Sequence, residues 1–144
     1  MAKLIGLDVG TKRVGVALSD ESGKFASAYA SFARPQSEAE QQLLSLIESE
    51  QVTQLVVGLP LSASGERTDQ CEDVERFARR ISRRTAVEVI YVDEHLSSEE
   101  AKQRLGIAEQ PSPELRKKGV IDAEAASILL QSYLDGTLVP IPSE

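Results

Sequence analysis

Residues 3–19 have the sequence KLIGLDVGTKRVGVALS, in which two apolar stretches are separated by a short polar turn. The stretches at 3–9 and 13–19 are rich in Val, Ile and Leu, and each is bounded by turn residues, a pattern that predicts two strands. A third strand is predicted at 24–32, after another short turn. Three consecutive strands joined by short turns favour an antiparallel meander.

The rest of the chain alternates between helical and strand patterns. The predicted elements are a helix that begins at the capping-box pair Ser37 and Glu40, a strand at 53–59, a helix at 68–84, a strand at 86–92, a helix from a second capping box (Ser97 with Glu100) to about 105, and a helix at 120–135. A loop is predicted at 106–119. The order βββ-α-β-α-β-α predicts an α/β fold with a mixed sheet, in which helices cover both faces.

The length and composition indicate one globular domain, at 1–136, followed by a C-terminal tail at 137–144. The chain has 144 residues, 16 Lys and Arg against 23 Asp and Glu, and one Cys. A single Cys excludes a disulfide framework and a multi-Cys zinc site. No apolar run approaches the roughly 20 residues that span a bilayer, so a cytoplasmic protein with no membrane partner is expected. The net charge of −7 argues at first against a nucleic-acid partner.

Asp8 is the first candidate functional residue. One face of its strand is apolar, and the other carries this acid between two glycines, Gly6 and Gly10. On the neighbouring strand, Gly15 and Ala17 are also small. This pattern favours a carboxylate left open to a metal or a bulky anionic ligand, over an Asp that merely caps the turn.

Two further acidic positions follow. Asp93 and Glu94 come at the end of a buried strand, where α/β sheets place their ligands, although solvated acids at such a junction are common. Asp122 is in the first turn of an almost wholly apolar helix, on the same face as Ala125 and Leu129. That position favours a functional role slightly over a simple interaction with the helix dipole.

Acids on three separate elements could converge in the folded chain, and such a group suits Mg²⁺ or Mn²⁺, which prefer oxygen ligands. Carboxylates that converge in this way repel one another, so a cation is needed to offset their charge. Paired divalent ions activate water and stabilise the leaving oxygen of a phosphodiester. The pattern therefore predicts a nuclease site.

Four segments together resemble the YqgF (RuvX) family. They are GLDVGTKRVGVA at 6–17, VVGLPL at 56–61 with Gly65 and Gln70 after it, DEHLSS at 93–98, and KGVIDAEAA at 118–126. The resemblance covers about residues 3–135. This family has an RNase H-like fold, and it is described as a Holliday junction resolvase or a pre-16S rRNA nuclease.

The resemblance implies a metal-dependent endonuclease that hydrolyses nucleic-acid phosphodiesters. Asp8, Glu94 and Asp122 match the three acidic positions of the family, as catalytic residues and ligands of Mg²⁺ or Mn²⁺. The resemblance also selects Glu94, rather than Asp93, as the third acid. One departure is His95, which stands where the family usually has Arg and which contacts a phosphate ionically only when it is protonated.

Basic residues flank these positions. The candidate nucleic-acid contacts are Thr11, Lys12, Arg13, His95, Lys117 and Lys118. Five arginines at 76–84 are compatible with a phosphate-binding patch and equally with a solvated helix face.

The favoured function is 5′-end maturation of the 16S ribosomal RNA precursor. The alternatives are a Holliday junction resolvase in DNA recombination and repair, and a non-catalytic nucleic-acid-binding module on the same fold. The expected partner is structured RNA, a ribosomal RNA precursor or branched DNA, with a protein partner or a weak homodimer left open. An ATP-dependent phosphotransferase of the actin-like superfamily is disfavoured, since it would need two such domains.

Overall fold

The computed structural model describes residues 3–62, 64–93, 120–138 and 140–141. The strands are β1 (Lys3–Val9), β2 (Arg13–Ser19), β3 (Ala26–Ala33), β4 (Val52–Leu59) and β5 (Glu88–Asp93), and the helices are α1 (Glu38–Glu50), α2 (Asp69–Arg83) and α3 (Val120–Leu134). A short 3-10 helix, Pro35–Ser37, precedes α1. The helix predicted from Ser97 and the loop predicted at 106–119 lie outside the described residues.

The five strands form one mixed sheet in the order β3-β2-β1-β4-β5. The pairs β1–β2 and β2–β3 are antiparallel, whereas β1–β4 and β4–β5 are parallel. The predicted meander is therefore confirmed, and so is the α/β class with its mixed sheet.

Helices cover both faces of this sheet. The apolar face of β1 packs with α1 and α2 in a cluster that includes Ile5, Leu7, Leu43 and Phe77. The opposite face packs with α3 in a second cluster that includes Leu4, Ala17, Val56, Ala126, Leu129 and Leu130. Because α3 lies on the face that carries Asp8, this second layer positions the candidate site.

Strand β3 begins two residues later than predicted. The carboxylate of Asp20 accepts hydrogen bonds from the backbone N–H groups of Lys24 (3.0 Å) and Phe25 (3.3 Å). These two N–H groups therefore serve the turn rather than the strand ladder.

The predicted capping box at the start of α1 is wrong. Ser37 has a left-handed backbone (φ 60°), and its side chain makes no capping hydrogen bond. An N-cap residue normally has an extended backbone, which directs its side chain to the first turn. Glu40, the other member of the predicted pair, is instead buried and accepts a hydrogen bond from Arg80 Nη1 (3.1 Å).

Both edges of the sheet are interrupted. On β3, Ala28 pairs with Ala17 and Ala30 with Val16, so Tyr29 forms a bulge in the edge strand. On β5, the backbone N–H of Ile141 donates to the carbonyl of Tyr91 (2.7 Å). Within the described ranges, no helix has both the length and the apolar character that a membrane span requires.

Candidate active site

Asp8 lies near the end of β1, where it is half-buried and pairs across the ladder with Gly15 of β2. Strand alternation places its side chain on the face that carries Leu4 and Gly6. That face is the one on which α3 packs. The carboxylate therefore belongs to the interface between the sheet and α3.

The glycines of this face make room for α3. A Cβ atom added at Gly15 would lie 2.0 Å from the carbonyl oxygen of Asp122, and one added at Gly6 would lie 2.7 Å from Leu130 Cβ and 2.9 Å from the carbonyl oxygen of Ala126. The interpretation of these small residues as space for a ligand is therefore wrong. They admit a helix backbone, and that close contact brings Asp122 to the residue that pairs with Asp8.

Asp122 is half-buried in the first turn of α3. Burial raises the pKa of this carboxyl group, and the positive charge of Arg13 acts in the opposite direction. Ala125 and Leu129, which share its helix face, are almost completely buried, as the spacing predicts. The structure therefore brings two of the three predicted acids, from β1 and α3, to one side of the sheet.

Asp93 does not share that side. Val92 packs in the cluster beneath α3, whereas Val89 and Tyr91 pack against the cluster beneath α1 and α2. Alternation along β5 gives Asp93 the face of Val89 and Tyr91. Glu94, the next residue, lies outside the described residues.

The predicted nucleic-acid contacts also lie partly inside and partly outside the described residues. His95, Lys117 and Lys118 lie outside the part of the chain that the structure describes. Within that part, no group of three or more His, Cys, Asp or Glu residues has the arrangement of a metal site. Since Glu94 is one of the three predicted ligands, the described residues contain two of them.

The turn between β1 and β2 carries the remaining basic candidates. The N–H of Gly10 donates to the carbonyl of Arg13 (2.8 Å), which closes the turn. Thr11 and Lys12 are exposed at its tip. Arg13 is half-buried, close enough to Asp122 for its charge to lower the pKa of that acid. This turn therefore presents two cationic side chains beside the two acids.

Arg34 holds this turn against α2, and the sequence pattern did not reveal it. Its Nη1 donates to the carbonyl of Gly10 (2.7 Å), and its backbone N–H donates to the carbonyl of Lys12 (3.0 Å). The guanidinium also binds both carboxylate oxygens of Asp73 (2.7 and 3.1 Å) and lies 5.3 Å from the ring centroid of Phe77. Such two-pronged pairing fixes the orientation of the guanidinium.

Asp73→Asn is expected to lower the free energy of unfolding at neutral pH, with a deficit that shrinks in acid. The hydrogen bond from Arg34 holds the pKa of Asp73 below its ordinary value of 3.8. The ionised carboxylate therefore stabilises the fold above that value, and the contribution is lost as the pH falls through the lower folded-state pKa. Denaturant unfolding of both proteins at pH 7 and at about pH 2.5 measures the effect.

Asp69→Asn is the matched control, because Asp69 is an exposed carboxylate in the first turn of the same helix. An equal deficit for Asp73→Asn at both pH values would contradict the ionic role of the Arg34–Asp73 pair.

Comparisons with known proteins agree with this architecture. The sequence model of the family described as "RuvX: Holliday junction resolvase" matches residues 2–136. A protein of Trichormus variabilis is 43% identical over 132 residues, which are 91% of this chain and 86% of the relative. A protein of Syntrophus aciditrophicus is 40% identical over 144 residues, which are 99% of this chain and 95% of the relative. Both are named "Putative pre-16S rRNA nuclease".

Among solved structures, this chain is similar to Thermus thermophilus RuvC in complex with a Holliday junction substrate. The TM-score is 0.55 at 16% identity, and the match covers 98% of this chain and 100% of that one. At this level of identity the similarity shows the shared fold, which in RuvC is RNase H-like. The chain therefore belongs to the RuvX family, a family of nucleases that has the RNase H-like fold.

Proposed function

We propose that this chain is a divalent-cation-dependent endonuclease that hydrolyses phosphodiester bonds in nucleic acid, with Asp8, Glu94 and Asp122 as its catalytic residues. The observation that carries the proposal is the contact between Gly15 and the backbone of Asp122. Because Gly15 pairs with Asp8, this contact brings the backbone of Asp122 to the residue opposite Asp8, which supports a shared role for the two acids. The domain at 1–136 is the proposed catalytic unit.

The donors suit a hard divalent cation. Asp8 and Asp122 supply carboxylate oxygens, and the raised pKa of Asp122 indicates that Arg13 alone does not offset its burial. We expect Asp8, Glu94 and Asp122 to hold Mg²⁺ or Mn²⁺. When bound, such ions polarise the phosphodiester and activate the attacking water. Asp93 is not included, because alternation places it on the other face of the sheet.

The β1–β2 turn is the proposed phosphate contact. Thr11 and Lys12 are exposed at its tip, and Arg13 lies beside Asp122. Cationic side chains at this point attract the scissile phosphate and hold it at the acids. His95, Lys117 and Lys118 complete the proposed contact set, on the basis of their positions in the family motifs.

The proposed substrate is the precursor of 16S ribosomal RNA, processed at its 5′ end in the cytoplasm. The names of the relatives at 40–43% identity support this choice. The second candidate is a four-way DNA junction, which the description of the family and the fold of RuvC favour. Both reactions use the same hydrolytic chemistry, so the choice depends on the substrate and not on the acids.

A cleavage assay distinguishes the two substrates. The purified chain is incubated with a precursor RNA fragment that spans the mature 5′ end and with a four-way DNA junction, each in Mg²⁺, in Mn²⁺ and in EDTA. We expect discrete cuts in the precursor, no cleavage in EDTA and recovery on addition of excess Mn²⁺. Paired symmetrical cuts in the junction alone would favour the second candidate. Cleavage that is unchanged in EDTA would contradict the cation requirement, and no cleavage of either substrate would contradict the nuclease assignment.

A further inference from the structure

Helix α2 and the residue after it carry a dense group of arginines on the surface. We call Arg76, Arg79, Arg80, Arg83 and Arg84 the arginine surface, and all five are exposed. They fall within nine residues that contain no acid. Positions 76, 80, 83 and 84 follow helical spacing along one side, so their charges form a stripe rather than a ring.

Ion pairs account for only part of this charge. The carboxylate of Glu40 lies 3.1 Å from Arg80 Nη1 and 3.8 Å from Arg84 Nη1. Among the described residues, no ion pair within 4.0 Å involves Arg76, Arg79 or Arg83. Two of the five arginines thus join α2 to α1, and three present their charge to solvent. In a chain with a net charge of −7, this concentration of positive charge is local.

Arg34 connects the arginine surface to the β1–β2 turn at the edge of the sheet. Arg34 bonds to Gly10 and Lys12 on one side and to Asp73 on the other. Asp73 is also close enough to Arg76 and Arg80 for both charges to act on it. The basic turn beside the acids therefore leads, through one half-buried ion pair, to the stripe on α2.

The length of the arginine surface suits several phosphates of one nucleic-acid strand. Arg76 and Arg84 are eight positions apart, which corresponds to roughly 12 Å along the helix axis. At about 3.4 Å of axis per phosphate in one strand of a duplex, that length corresponds to roughly three or four phosphates. The stripe is thus long enough for several phosphates, rather than for a single anion.

We propose that the arginine surface binds the sugar-phosphate backbone of the nucleic-acid strand that extends from the cleavage site. This assignment rests on the proposed nuclease function and names where its substrate lies. Arg76, Arg79 and Arg83 contact phosphates directly, whereas Arg80 and Arg84 remain paired with Glu40. Contacts of this kind give affinity without sequence preference.

The salt dependence of binding tests the proposal. The probes are labelled single-stranded RNA and DNA of about 20 nucleotides, in EDTA so that cleavage does not interfere, at about 50 to 200 mM salt. We expect R76A/R83A to weaken binding at least about tenfold and to reduce the slope of log K against log salt by about 1.4, since each single-strand phosphate contact contributes about 0.7. The conservative pair R76K/R83K should retain most of the slope.

Lys24→Ala is the control, because it removes an exposed charge from the β2–β3 turn, away from the arginine surface. If R76A/R83A has the affinity and slope of Lys24→Ala on both probes, the arginine surface is a solvated face and the proposal is overturned. That outcome leaves the nuclease assignment intact when the wild-type chain cleaves its substrate. If the slope falls as expected but the wild-type chain cleaves nothing, the proposed function fails and the binding surface stands.

Discussion

Asp8→Asn is expected to reduce the rate of cleavage about a thousandfold or more, while the fold and the affinity for uncleaved substrate are retained. The substitution keeps the size of the side chain but removes the negative charge that a divalent cation requires. Loss of metal-ion stabilisation of the transition state removes several kcal/mol, and about 1.4 kcal/mol corresponds to each tenfold change in rate. Single-turnover cleavage of the precursor RNA in Mg²⁺ measures the effect.

Asp69→Asn controls for the loss of a carboxylate elsewhere on the surface. Circular dichroism and thermal unfolding in EDTA report on the fold of both variants. Without metal, the Asn variant should be about as stable as the wild type, because it keeps the size and shape of a half-buried side chain. Cleavage that persists in a clean preparation would remove Asp8 from the catalytic set, and unfolding of the variant would assign it a structural role.

Gly15→Ala is expected to lower both stability and activity, because Gly15 is buried against the backbone of α3. The added Cβ would lie 2.0 Å from the carbonyl oxygen of Asp122, where an ordinary contact is at least 3.4 Å. Helix α3 must therefore move by about 1 Å or more. Overpacking of this kind costs about 1–3 kcal/mol or more, and a 1 Å displacement of a catalytic group lowers the rate about a hundredfold. Denaturant unfolding and single-turnover cleavage give the two values.

Gly23→Ala provides the matched control. It adds the same methyl group in the β2–β3 turn, where nothing lies within 4 Å, and it incurs only the cost of a positive φ (71°). That cost is about 1–2 kcal/mol of stability, and we expect no change in cleavage. If Gly15→Ala leaves activity at the level of Gly23→Ala, the contact with α3 does not position Asp122.

Much of the fold follows from local sequence. The bounds of β1 and β2 agree with the predicted ranges, because apolar runs and a glycine turn are local signals. The predicted start of β3 and the predicted cap of α1 differ from the structure because side-chain contacts and backbone conformation there do not follow the local pattern. Asp20 draws two N–H groups out of β3, and Ser37 cannot cap α1 from a left-handed backbone. The burial of Glu40 depends on Arg80, forty residues away, which no local pattern reveals.

The candidate site likewise combines features that local sequence predicts with features that depend on long-range contacts. The strand and helix periods predict the faces of Asp8 and Asp122 correctly, and the structure brings these two faces together. The sequence pattern does not distinguish a small residue that admits a ligand from one that admits a helix, and Gly15 is of the second kind. No local pattern predicts the pairing of Arg34 with Asp73, because it joins the residue after β3 to α2, 39 positions further along the chain. Assignment of the third acid to Glu94 stays a prediction.

The interrupted edges of the sheet restrict how two copies of this chain can assemble. A dimer that joined β3 to its symmetry mate would have to flatten the bulge at Tyr29, and one that joined β5 would have to displace Ile141 from Tyr91. A continuous ten-stranded sheet is thus disfavoured on either side. Any two-fold arrangement, such as coordinated cutting of a branched junction requires, is expected to bring helical faces together and to keep the two sheets separate.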